Sequence, residues 1–227
     1  MSLSVLDLGQ IGTDWVYTTP KRPWDLLLPG EPYVGVIIDH VLRHVIIACR
    51  GSTVPMDFLK DVEAGLVRGA GPLGTVALGF YDGVHAAWLS IKPSIPQGYR
   101  IYIVGHSLGA AHACLLAGVA ESTGTHVDCL MVMGCPAPGD NKLNRWLKRI
   151  GRIISIRNVD GMIVDPVYIV PPWCEHPSNP IDICEPASSL TAAQLNNECW
   201  PWPVSYHHWQ LYLAGIAKLN LPDVYDG

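Results

Sequence analysis

The sequence predicts an α/β fold, and three observations carry that prediction. Tyr99–Ala120 (YRIYIVGHSLGAAHACLLAGVA) reads as an apolar strand, a sharp turn and a small-residue helix, with Ser107 at the tip of the turn. Tyr33–Asp39 and Val45–Arg50 are two β-favouring runs spaced as a hairpin. Further β-type runs at Val127–Met133 and Ile153–Ile156 alternate with helical stretches at Phe80–Ile91, Lys142–Ile150 and Tyr206–Leu219. A chain of 227 residues with no internal repeat and no composition break suits one domain, 1–227.

Bulk composition narrows the function classes. Hydrophobic residues at 49% and charged residues at 15% describe a globular protein rather than a disordered one. A net charge of −5 offers no attraction for nucleic acid. No apolar window approaches the roughly 18 residues that a spanning helix needs, so no transmembrane segment is expected. The opening MSLSVLDLGQIGTDW has neither a basic start nor an apolar core of signal-peptide type. Cys49, Cys114, Cys129 and Cys135 sit in strand or helix patterns as small buried hydrophobes, while Cys174, Cys184 and Cys199 lie in a Pro-rich stretch where one bridge is possible. Together these readings place the chain in a reducing, cytoplasmic compartment.

In chain order, residues 1–32 carry Trp15, Tyr17 and Trp24 among prolines and glycines and read as a segment wrapped on the core. His40 and His44 flank the hairpin turn as loop residues. The second hairpin strand runs into Arg50-Gly51-Ser52-Thr53, where Ser52 offers both a backbone N–H and a hydroxyl. Asp57 and Asp61 are four apart on one side of a short helix, either as a solvated acidic face or as an anchor for that loop through Arg50. Residues 64–79 are glycine-rich and read as a mobile connection, and the helix after them stops before Lys92-Pro93. Lys142, Arg145, Lys148, Arg149 and Arg152 form a basic stripe, a solvated face or a contact for an anionic lipid surface. Residues 171–203 have no periodicity.

The chemistry concentrates at Gly105-His106-Ser107-Leu108-Gly109, a G-x-S-x-G pattern between strand and helix. A serine on such a turn projects its hydroxyl clear of its neighbours, and the helix that begins there turns its first N–H groups toward developing negative charge. Glycines two before and two after keep side chains out of a tight turn.

Taken in order, RGST (50–53) with DFLKD (57–61), LGFYDGVHAAW (78–88), GHSLGAAHACLLA (105–117), GCPAPGD (134–140), DPVYIVPPW (165–173) and HHWQLY (207–212) resemble the class 3, fungal-lipase-like branch of the α/β-hydrolases. The resemblance spans roughly residues 33–215. Ala77-Leu78-Gly79-Phe80 lacks the histidine the family usually carries before Gly-Phe, and Phe58 stands where tryptophan is commoner. The resemblance implies a mostly parallel sheet flanked by helices on both faces, and a serine carboxylic-ester hydrolase acting on acylglycerol or similar lipid esters through an acyl-enzyme. It implies Ser107 as nucleophile, with oxyanion donors at Leu108 and Ser52.

For the acid, Asp160 is nearer the strand end, whereas Asp165, in Asp-Pro-Val before Ile-Val-Pro-Pro, matches the family's acid loop and is preferred; that choice leaves extra residues between strand and acid. For the base, His207 stands five before Tyr212, as in the family, and is preferred over His208. No cofactor is implied. Cys174, His176, Cys184, Cys199, His207 and His208 show no C-x-x-C or H-x-x-H spacing, so no metal site is expected. The partner is a small-molecule ester or lipid, at a lipid–water interface in the lipase reading; nothing in these residues sets an oligomeric state. Two alternatives remain at this point: an esterase for small soluble or aryl esters, and a non-catalytic binding protein on the same fold. Trp173, Trp200, Trp202 and Trp209 serve either an acyl pocket or the core, and the candidate covers are 52–74 and 171–203.

Overall fold

The computed structural model describes residues 3–52, 67–170, 174–191 and 204–224. The N-terminal segment packs on the core as α1 (Val5–Gln10), running directly into a π-helical turn at Ile11–Trp15. Ser4 caps α1 reciprocally: its hydroxyl oxygen accepts the Asp7 N–H, and the Asp7 carboxylate accepts the Ser4 N–H. Then come β1 (Leu26–Leu28), β2 (Val34–Asp39) and β3 (His44–Cys49), paired antiparallel in turn, with the expected hairpin formed by β2 and β3.

The glycine-rich stretch, read as a mobile connection, contains a small hairpin instead. β4 (Val67–Gly69) and β5 (Thr75–Ala77) pair antiparallel around a 3₁₀ turn at Gly71–Leu73. Gly71 and Gly74 take φ of 56° and 84°, so the glycines that looked like breakers supply the left-handed positions of the turn. The single helix expected at Phe80–Ile91 is two, α2 (Leu78–Tyr81) and α3 (Val84–Ile91). The break falls at Gly83, φ 77°, where a Cβ would come within 2.1 Å of the Glu31 carbonyl oxygen.

After these come β6 (Arg100–His106), α4 (Leu108–Ser122), β7 (Cys129–Met133), α5 (Asn141–Leu147) and β8 (Arg152–Asp160). β8 runs past Ile156 and folds back on β9 (Ile163–Val164). β10 (Ile181–Ile183) emerges from the stretch without periodicity, and α6 (Trp209–Lys218) closes the fold after a 3₁₀ turn at Val204–His207. The main sheet has the order β1-β2-β3-β6-β7-β8-β10, parallel from β3 onward, with β9 pairing off β8.

Strand alternation divides the core into two layers. Val45, Ile47, Ile101, Ile103, Leu130 and Val132 face α3, α4 and α5, whereas Ile46, Ala48, Tyr102, Val104, Met131 and Met133 face α1, the π-turn and α6. Helices therefore cover both faces, as expected. Truncating a fully buried isoleucine, leucine or methionine of these layers to alanine costs about 2–5 kcal/mol. Arg152, at the end of the basic stripe, turns to the C-terminal tail and donates to the carbonyls of Pro222 and Asp223. Cys49, Cys114, Cys129 and Cys135 are buried free thiols, and Cys174 and Cys184 are free. The expected helix carrying Asp57, Phe58 and Asp61 lies outside the described residues, as do Trp173, Cys199, Trp200, Trp202, most of the candidate cover 52–74 and both ends of the candidate cover 171–203.

Candidate active site

The parallel strands β6, β7 and β8 bring this site together at their C-terminal ends. β6 ends at His106 and leads into Ser107, whose φ of 61° and ψ of −135° make it one of two non-glycine residues with positive φ among those described. Such a conformation costs on the order of 1–3 kcal/mol and persists only where its surroundings enforce it. Here the flanking glycines enforce it. A Cβ on Gly105 would meet the Gly109 carbonyl oxygen at 2.2 Å, and one on Gly109 would meet the Cys49 carbonyl oxygen at 2.2 Å. The start of α4 thus rests against the ends of both β6 and β3.

β7 ends at Met133, whose carbonyl accepts the Ser107 N–H at 3.0 Å, and the next residue, Gly134, donates to the Ile156 carbonyl at 3.0 Å. Gly134 (φ 53°) leaves room for two groups: a Cβ there would lie 2.7 Å from His207 Cε1 and 2.9 Å from Asp165 Oδ2. His207 and Asp165 are both fully buried, and His207 Nδ1 donates to Asp165 Oδ2 at 2.6 Å. The carboxylate also accepts the Val167 N–H at 2.9 Å and the Tyr212 hydroxyl, three donors that compensate for burying its charge. Burial, reinforced by the negative charge of Asp165, holds the Tyr212 phenol well above its ordinary pKa, so it stays a donor. With its proton on Nδ1, His207 presents a lone pair at Nε2. His207 Nε2 and Ser107 Oγ are both buried, and neither has a hydrogen-bond partner among the described residues.

The competing residues are engaged elsewhere. Asp160 Oδ2 accepts the Tyr206 hydroxyl at 3.1 Å. His208 caps α6, its Nδ1 accepting the Gln210 N–H at 3.3 Å. The structure therefore joins Asp165 to His207, while the hydrogen bonds seen for Asp160 and His208 run to Tyr206, Cys184 and Gln210. On the other flank of Ser107, a Cβ on Gly51 would come within 2.9 Å of Ser107 Cβ, so the residue preceding Ser52 lies against the serine. Leu108 is the first residue of α4, so its N–H is one of the first-turn donors without an intrahelical acceptor. Arg50 stacks on the Tyr33 ring, 3.9 Å from its centroid. No group of three or more His, Cys, Asp or Glu among the described residues is arranged to hold a metal ion.

Asn158 escaped the sequence reading. Its side-chain amide donates to the carbonyls of Glu185 and Tyr206 and accepts the Glu185 N–H, while its own carbonyl accepts the Asp165 N–H at 3.0 Å. One buried residue thus ties the backbone of Asp165 to the residue preceding His207. The bond to Asp165 closes the β8–β9 hairpin, which takes up the extra residues between strand and acid. An asparagine at a strand end was the available signal, but its partners are 27 and 48 residues away.

The family model for lipase (class 3) matches residues 46–172, more than half of the chain. A rice (Oryza sativa subsp. japonica) protein, phospholipase A1-II 4, is 30% identical over 158 residues, 56% of this chain and 40% of that protein. A secreted alkaline triacylglycerol lipase of Penicillium cyclopium is 28% identical over 115 residues, 45% of this chain and 40% of that protein. The chain thus spans about 40% of the length of each of these relatives. Among solved structures, a triacylglycerol lipase from Penicillium expansum superposes with a TM-score of 0.54 at 20% identity, covering 79% of each chain. The nonglycosylated LIP2 lipase of Yarrowia lipolytica gives 0.50 at 21% identity, covering 66% of this chain and 60% of that one. The fold is that of the α/β-hydrolases. The cytoplasmic location expected from the sequence is corrected here, because the Penicillium cyclopium relative is a secreted enzyme. That expectation leaned on the opening stretch, of which Val5–Trp15 fold as α1 and the π-turn.

Proposed function

The chain belongs to the class 3 lipase family, and from that premise we propose that it is a serine hydrolase of carboxylic esters, acting outside the cell on lipid substrates, with residues 1–227 as one domain. The observation that carries the reading is the buried 2.6 Å bond from His207 to Asp165, which leaves the lone pair of Nε2 without a hydrogen-bond partner among the described residues. In the proposed reaction Ser107 Oγ attacks the ester carbonyl and His207 Nε2 takes its proton. Asp165 holds the imidazole tautomer and stabilises the cation that forms. The tetrahedral oxyanion receives the N–H groups of Leu108 and Ser52; losing one such donor costs about 3–4 kcal/mol of transition-state stabilisation. His207 then protonates the leaving alcohol, and water, activated by the same imidazole, cleaves the acyl-enzyme.

Acylglycerol esters are the favoured substrates, because the two relatives, a phospholipase A1 and a triacylglycerol lipase, are both named for lipid esters. No helix among the described residues is long and apolar enough to cross a membrane. The test is hydrolysis of short-chain nitrophenyl esters and of a triacylglycerol emulsion by the wild type and Ser107→Ala. The reading expects both substrates to turn over and the variant to lose both. Turnover of the soluble esters alone would turn the assignment to an esterase, and turnover surviving in Ser107→Ala would defeat it.

A further inference from the structure

We propose that Tyr17, delivered by the N-terminal segment, is a positioning residue that locks the oxyanion loop to the general base through His106. The inference rests on the serine-hydrolase reading above and deepens it.

The direction of each hydrogen bond follows from the groups involved. His106 Nε2 lies 2.9 Å from the His207 carbonyl oxygen, which only accepts, so Nε2 carries the proton. Burial, with the His207 ring beside it, pushes His106 well below the ordinary histidine pKa, so the ring is neutral and its Nδ1 is an acceptor. Tyr17 Oη lies 3.3 Å from that Nδ1 and must therefore donate to it. Burial raises the Tyr17 phenol above its ordinary value, which keeps that proton in place through the range where an imidazole base works. The phenol oxygen's remaining lone pairs face the Gly51 N–H, which donates to it at 3.1 Å. The result is a one-way relay from Gly51 through Tyr17 and His106 to the backbone of His207.

Packing fixes the same contacts. The Tyr17 ring lies parallel to Trp209, two residues after His207, at 6.4 Å between centroids and 9° between planes. The His106 ring stacks on His207 at 4.6 Å and 24°. At Gly51 a Cβ would come within 2.4 Å of Tyr17 Oη and 2.7 Å of the His106 carbonyl oxygen, so the loop backbone rests directly on the phenol. The residue after Gly51 is Ser52, the proposed oxyanion donor. A shift of about 1 Å there misdirects an N–H that must meet the oxyanion and is worth on the order of 100-fold in rate.

Tyr17→Phe keeps the ring on Trp209 and removes only the hydroxyl. The expected result, on a soluble nitrophenyl ester, is a fall in kcat of about 10- to 100-fold with KM changed less than about twofold. Affinity for a trifluoromethyl ketone, which forms an oxyanion on Ser107, falls in parallel with kcat/KM. A residue that only held the fold together would lower the melting temperature without separating kcat from KM. His106→Gln, which keeps an N–H for the His207 carbonyl and removes the acceptor of the phenol, gives the same kcat loss and serves if Tyr17→Phe does not fold. Folded variants with wild-type kcat and wild-type ketone affinity, or a change in KM alone, would overturn the inference while leaving the hydrolase reading intact. A wild type that neither hydrolyses the ester nor binds the ketone would instead remove the reading on which it rests.

Discussion

His112 makes the fold's acid sensitivity predictable. It sits on α4, the helix that begins at Ser107, is 2% exposed, and its Nδ1 has no hydrogen-bond partner among the described residues. Burial alone lowers its pKa to about 4, against an ordinary 6.5. An imidazole held neutral in the fold takes up its proton in the unfolded chain first. Its contribution is therefore flat above about pH 6.5, falls as the pH drops through that value, and levels off below about 4. Integrating between those limits gives a loss of about 2 kcal/mol from pH 7 to pH 5, and about 3 kcal/mol when complete. His112→Leu removes the titrating group and an unpartnered polar atom together, so at pH 7 its stability should lie within about 1 kcal/mol of wild type. Urea unfolding at pH 7, 6 and 5 is the assay, since both proteins share every other titrating group. The wild type should lose about 2 kcal/mol more than the variant between pH 7 and 5. Equal losses in the two proteins would refute the reasoning and place the imidazole in contact with water or a partner.

Two further expectations concern the acid and its support. Asp165→Asn should lower ester turnover on the order of 10⁴-fold with the fold retained, because the amide no longer fixes the working tautomer of His207, while Asp160→Asn, which alters the contacts with the Tyr206 hydroxyl and the Cys184 thiol, should stay within about threefold of wild type in the same rate assay. Asn158→Ala removes three side-chain hydrogen bonds at about 1 kcal/mol each, so urea unfolding should register a loss of about 3 kcal/mol, accompanied by slower turnover as the segment before His207 loosens.

What could be read from the sequence was what local forces decide. The strand, elbow and helix around Ser107 lie within one contiguous stretch, and the hairpin of β2 and β3 is set by two apolar, β-favouring runs on either side of a short turn. The hairpin of β4 and β5 was hidden because Gly71 and Gly74 signal breakage in composition but serve as left-handed turn positions in space. β10 was missed because three residues inside a Pro-rich stretch carry no period, and only pairing with β8 makes them a strand. At the site, the family resemblance brought forward Asp165, against Asp160 nearer the strand end, and His207, and the structure joins Asp165 to His207 by a hydrogen bond. Asn158 and the phenol of Tyr17 were invisible for a different reason. Their importance lies wholly in partners tens of residues distant, and no neighbouring residue signals it.

The central claim is that Ser107 is made nucleophilic by His207. It is tested most directly by treating the protein with a fluorophosphonate and locating the adduct by peptide mass spectrometry. The account predicts a single phosphonyl group on Ser107, forming on the order of 10³-fold or more slowly in His207→Ala. An adduct on another residue, or one forming on Ser107 at the wild-type rate without His207, would contradict it.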